Sequence, residues 1–89
     1  MGGHRWTPLE HAFVTWLMLR RKAVNDIVSI MLTWNSNNRL YNHDIVSNKT
    51  KKIRKHCGQT GFTLDGFLQS SLSRAGETLP SFLAGLDPA

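Results

Sequence analysis

Apolar positions recur at helical spacing along most of this 89-residue chain. Leu9, Phe13, Trp16 and Leu17 share one helical face, and the next position on that stripe is Arg20, where the apolar face stops. The spacing predicts a first helix over residues 8–21. Its start is marked by Thr7 as cap, Pro8 at the first helical position, and Glu10 three residues after Thr7, as a capping box requires. Trp6 precedes the cap and is expected to fold back onto the core. Arg20-Arg21-Lys22 then set cations at the negative end of the helix dipole. Val24, Ile27, Val28, Met31 and Leu32 form the apolar face of a second helix over residues 23–34, capped by Asn25 or a residue just before it. Asn35-Ser36-Asn37-Asn38-Arg39 breaks the pattern, because short polar side chains compete for their own backbone. The connection, about residues 35–43, is longer than a tight helix-turn-helix turn, with Leu40 and Tyr41 expected to pin it to the core.

The third segment, Asp44 to Cys57, has a thin apolar stripe: Val46, Lys49 or Thr50, Ile53 and Cys57. Its opposite face holds Ser47, Asn48, Lys51, Lys52 and Lys55. Asp44 or Asn42 is expected to cap this helix and Gly58 to stop it. After Gly61 the composition shifts towards Ser, Leu, Gly and Phe. Two segments there, Thr63–Leu72 and Thr78–Leu86, both read Thr-Leu-x-x-Phe-Leu with a later Leu. Each predicts a short capped amphipathic helix, and two copies are too few for a solenoid. The expected fold is all-α: three helices within residues 5–58, then a helical C-terminal extension, residues 59–89, with one or two helices. If the first three helices close their own core, Phe67, Leu68, Leu72, Phe82, Leu83 and Leu86 need another partner, and the extension becomes a homodimerisation or docking segment. The competing expectation is that these residues simply complete the core.

Charge sharpens this picture. Residues 1–58 carry ten Lys or Arg against Glu10, Asp26 and Asp44, giving +7, whereas residues 59–89 carry Arg74 against Asp65, Glu77 and Asp87, giving −2. Such a front part implies an anionic partner. A membrane-surface helix sets its cations beside a bulky apolar face, and the basic run here has only a thin one, so nucleic acid is preferred. No stretch approaches the roughly 18 unbroken apolar residues of a membrane span, and the N-terminus lacks the apolar core of a signal peptide. A single cysteine, Cys57, excludes an internal disulfide and fits a reducing, intracellular compartment.

The residue types on the third helix suit double-stranded DNA. Lys51, Lys52 and Lys55 are the first candidates for phosphate contacts, with Arg54 and Lys49 next. Ser47 and Asn48 lie one turn earlier and are candidates for base edges, Asn48 because an amide pairs with adenine in two places. Arg5, ahead of the first helix, is placed to reach a phosphate or the minor groove, and Arg39 in the loop to clamp the backbone. RNA is a weaker partner, since Tyr41 is the only tyrosine and the tryptophans look like core. His4, His11, His43 and His56 form no His-x3-His pair, and one cysteine beside His56 is no zinc motif, so no metal is expected. There is no glycine-rich phosphate loop and no paired carboxylate; the chain is expected not to be an enzyme and to need no cofactor.

The order of a tryptophan-led helix, an apolar second helix and a basic third helix resembles the Myb/SANT-like branch of the homeodomain-like helix-turn-helix proteins. Arg5-Trp6-Thr7-Pro8-Leu9-Glu10 is similar to that family's Trp-Thr-x-Glu-Glu opening, and Phe13 and Val14 sit where its first helix has core apolars. Val24-Asn25-Asp26-Ile27-Val28 stands where the family has a tryptophan, two polar residues, Ile and Ala, and Ile45 to Ile53 resembles its third helix. The resemblance covers about residues 5–57, without the second and third characteristic tryptophans. It implies a three-helix unit whose third helix enters the major groove, and a nuclear regulator of transcription or chromatin. The alternative it leaves open is a SANT-type interaction module, whose basic face meets an acidic protein and whose C-terminal helices form the oligomer.

Overall fold

The computed structural model describes residues 5–35 and 41–86. Helix α1 spans Pro8–Leu19, α2 Val24–Trp34, α3 His43–Thr60, α4 Leu64–Ala75 and α5 Leu79–Leu86. Among the described residues there is no strand, so the chain is all-α as its periodicity implies.

Helix α1 is the centre. Ala12, Phe13, Val14, Thr15, Leu17 and Met18 are all buried, more than one apolar stripe accounts for. A helix apolar on nearly every side must be covered on nearly every side. Helix α4 lies closest along it, and α2 and α3 also touch it. The buried face of α4 is Leu68, Ser71 and Leu72. Ala12 and Thr15 on α1 and Ser71 on α4 are small and fully buried, which lets the two backbones approach. The Thr15 hydroxyl donates to the His11 carbonyl at 2.6 Å, so its burial leaves no polar atom unpaired.

The capping box at the start of α1 forms. The Thr7 N–H donates to the Glu10 carboxylate at 2.7 Å, and the Glu10 N–H donates to the Thr7 hydroxyl at 3.1 Å. Glu10 is also buried and accepts a hydrogen bond from the Tyr41 hydroxyl, tying the start of α1 to the lead-in of α3. Trp6 is buried beside Tyr41, ring edge to ring face at 5.5 Å. The expected docking of Trp6 and Tyr41 on the core is thus one contact.

Helix ends differ from expectation in instructive ways. Helix α1 stops at Leu19 with Arg21 in the left-handed region at φ 59°. The Arg21 N–H donates to Met18 and the Lys22 N–H to Leu17, satisfying carbonyls that the last turn leaves open. Helix α2 begins after Ala23 with no side-chain cap. Asn42, rather than Asp44, caps α3 by accepting from the Ile45 N–H at 3.0 Å. Helix α3 runs through Gly58 to Thr60, and Gly61 at φ 80° ends it. Gly58 has open space around it, so the helix passes it at only the usual entropic cost of a glycine. Continuing to Thr60 puts the thiol of buried Cys57 3.8 Å from the Thr63 carbonyl.

The C-terminal helices are part of the same body. Thr63 caps α4, Gly76 ends it, and Thr78 caps α5. Phe82 of α5 inserts between Phe13 and Trp16 of α1, with ring centroids 6.1 and 6.4 Å away. Trp34 closes the other side of Phe13 at 4.5 Å. The radius of gyration is 12.6 Å. One unit of this length is expected at about 12 Å, so no helix stands apart. Packing therefore does not divide at residue 58: α1 belongs as much with α4 as with α2 and α3.

Candidate nucleic-acid interface

Helix α3 is 18 residues long, or about 27 Å at the usual rise per residue. Val46, Thr50, Ile53 and Cys57 are its buried residues, which fixes how the helix is rotated about its axis. Thr50, not Lys49, occupies the stripe position the sequence left open. Its hydroxyl donates to the Ser47 carbonyl at 2.9 Å.

That rotation turns Asn48, Lys51, Lys52 and Lys55 outward, all exposed. Ser47, half-buried, and Arg54, exposed, lie along one flank of this face. Lys49 and His56 lie along the other, towards α1 and α4. Among the described residues, none of Lys51, Lys52, Arg54 and Lys55 makes an ion pair; Asp44 sits at the far N-terminal end and pairs with His43 at 3.8 Å. Four adjacent cations thus hold their charge free for an outside anion.

Lys49 is a different kind of residue. Its ammonium lies 5.1 Å from the Trp6 ring centroid, a cation–π contact. Burial and the neighbouring Lys52 push its pKa below the ordinary lysine value, with Glu10 opposing. Arg5 is exposed and shares a groove with Trp6 and Lys49, so the lead-in to α1 reaches the Lys49 side of α3. Arg39 lies outside the described residues.

The structure also shows residues that were not expected in a site. Arg74 of α4 lines the same groove, as does His11 of α1. His11 is held at a pKa of about 4, first by burial and then by Lys49 and Arg74, with Glu10 opposing. The available signal for Arg74 was its isolation as the single cation of an otherwise acidic tail.

The six residues expected as an oligomer contact separate by burial. Leu68, Leu72 and Phe82 are buried in this chain's own core and have no surface left for a second copy. Phe67 and Leu86 are half-buried against that core, and Leu83 alone is substantially exposed, at 40%. Leu68, Leu72 and Phe82 thus complete this chain's core, and Leu83 stays on its surface. Among the described residues no three or more of His, Cys, Asp or Glu come together as a metal site would need, and no helix is long and apolar enough to cross a membrane.

No protein-family model matches the chain, and no curated protein or solved structure matches it.

Proposed function

We propose that this chain binds double-stranded DNA with the outer face of α3, as the reading helix of a Myb/SANT-like unit built from α1, α2 and α3, and works as a nuclear regulator of transcription or chromatin. The observation that carries this reading is the run of Lys51, Lys52, Arg54 and Lys55 following an exposed Asn48 on one long helix seated by Val46, Thr50, Ile53 and Cys57. Lysines and arginine spaced along a helix match the two phosphate strands that border a groove, and they supply affinity without sequence preference. Asn48 lies one turn before Lys51 and Lys52 on the same outward face, where an amide meets a base edge when the cations meet phosphates. Arg5 and Lys49 extend the positive surface along one side.

Two features give this unit a form of its own. Helix α4 packs on α1 more closely than α2 or α3 does, so the reading helix rests on α1, α2 and α4 within a five-helix body. The long α3 also continues three uncharged residues beyond Cys57, through Gly58, Gln59 and Thr60, past Lys55, the last cation of the face.

Fluorescence anisotropy with random-pool and selected duplexes tests the proposal. Lys51→Ala/Lys52→Ala should weaken all duplexes alike. Asn48→Ala should flatten the preference among them, by about 1–3 kcal/mol at the base pair it reads. A native chain that binds no duplex at moderate salt would sink the reading and leave an acidic protein segment as the partner of the basic face.

A further inference from the structure

Beyond the outer face of α3, a second positive region lies in the trough between α1, α3 and α4. One groove of about 470 Å³ gathers Lys49, Lys52 and Arg74 around His11. An adjoining groove of about 410 Å³ shares His11, Lys49 and Arg74 and adds Arg5. The cations come from three separate parts of the chain, so the fold, not a local charge run, brings them together. Among the described residues, no Asp or Glu lines either groove. Glu10 lies close enough to oppose the lowered pKa of His11, but its effect is smaller than that of burial, Lys49 or Arg74. Its carboxylate accepts from the Thr7 N–H and the Tyr41 hydroxyl. The trough therefore keeps an unbalanced positive potential that an incoming anion would relieve.

Rings line the same trough. His56 stands between Phe62 and Phe67, with centroids 6.2 and 5.6 Å away, and His11 meets Phe67 at 6.3 Å. Phe62 is 48% exposed, which leaves part of its ring open to a planar group. The volumes fall within the roughly 300–1,000 Å³ typical of small-molecule sites. Convergent cations beside an exposed ring call for a ligand with both an anionic and a planar part.

We propose that the trough between α1, α3 and α4 binds an organic phosphate carrying a flat ring, the chemistry of a nucleotide, with Lys49, Lys52 and Arg74 on the phosphate and Phe62 and Phe67 against the ring. This site goes beyond the DNA-binding reading. It shares Lys49 and Lys52 with the DNA-binding surface, while Arg74 and Phe62 lie off α3. His11, neutral at pH 7, offers a hydrogen bond to the phosphate, and a bound dianion would draw its pKa back up.

The test is calorimetry on the full chain with AMP, adenosine and inorganic phosphate, beside anisotropy with a duplex. AMP should bind at least about tenfold tighter than adenosine or phosphate alone. R74Q should weaken AMP by about tenfold or more and leave duplex affinity within about twofold, since it removes a charged contact off α3. F62A should weaken AMP but not inorganic phosphate. Both positions are exposed, and an unchanged circular-dichroism melt would certify each fold. Added AMP should move the His11 imidazole titration upward in NMR.

AMP binding no tighter than phosphate would overturn the nucleotide assignment, and so would the absence of AMP binding. Loss of duplex and AMP affinity in parallel in R74Q would make the trough a seat for a DNA backbone phosphate and overturn a separate site. A chain that binds AMP and no duplex would keep this proposal and refute the DNA reading.

Discussion

Replacing Leu72 by Ala should show that α4 is part of the core on which α3 stands. Leu72 is 1% exposed, on the face of α4 that meets α1. Truncating a buried leucine removes its transfer energy and leaves a cavity, typically 2–5 kcal/mol. Two closely packed helices with fully buried Ala12, Thr15 and Ser71 between them have little side-chain length with which to refill it. A value of about 3 kcal/mol is therefore expected, a large share of the roughly 4–13 kcal/mol that a domain of this length holds. The melting temperature should fall by about 12–24 °C. Leu83, 40% exposed on α5, is the control, and its alanine variant should lose under about 1 kcal/mol. Thermal melts by circular dichroism read both. Ending the chain after Gly61 removes α4 and α5 entirely and should abolish a cooperative melt. The reasoning fails if Leu72→Ala melts within about 3 °C of the native chain, if Leu83→Ala costs as much, or if the truncated chain melts cooperatively.

Two further predictions concern local features. At Gly61, φ 80° is unfavourable to any side chain although space is open, so Gly61→Ala should destabilise by about 1 kcal/mol; Gly58→Ala, inside α3 with nothing near, should stabilise by about 0.4–1 kcal/mol. Urea melts of the two variants should shift in opposite directions, and shifts of the same sign would contradict the observed end of α3. His11 has its folded-state pKa lowered from 6.5 to about 4, so the unfolded chain takes up the proton first as pH falls. Stability from a neutral His11 is present above 6.5 and is lost as pH falls through that window towards 4. Discounted for the exposed part of the ring, the loss is about 1–2 kcal/mol, and His11→Gln should remove that much of the pH dependence. An unchanged stability-versus-pH curve in the variant would count against the burial of this imidazole.

The parts of the fold that were legible are those set by neighbours in sequence. Thr7, Pro8 and Glu10 announce the start of α1 because a capping box is closed within four residues. Val46, Ile53 and Cys57 mark the inner stripe of α3, and their spacing alone turns Asn48, Lys51, Lys52 and Lys55 outward. The end of α3 is not legible, because a glycine both continues a helix, as Gly58 does, and ends one in the left-handed region, as Gly61 does. The partner of α1 was not legible either. Phe13, Trp16 and Leu17 show a stripe, but Ala12, Thr15 and Ser71 become informative only when two helices from distant parts of the chain meet. The same holds for the trough: His11, Lys49 and Arg74 are 25 or more positions apart in sequence, and only the packing of α1, α3 and α4 brings them together.

The salt dependence of duplex binding tests the central claim most directly. Anisotropy titrations between 50 and 200 mM salt, an interval of roughly the kind over which phosphate contacts are read, give the slope of log K against log salt concentration. If the outer face of α3 lies along DNA, Lys51→Ala/Lys55→Ala should flatten that slope by about 1.8, close to 0.9 for each phosphate lost, while Lys22→Ala leaves it unchanged. If the double variant keeps the native slope, or if Lys22→Ala flattens it equally, α3 is not the surface that meets the duplex.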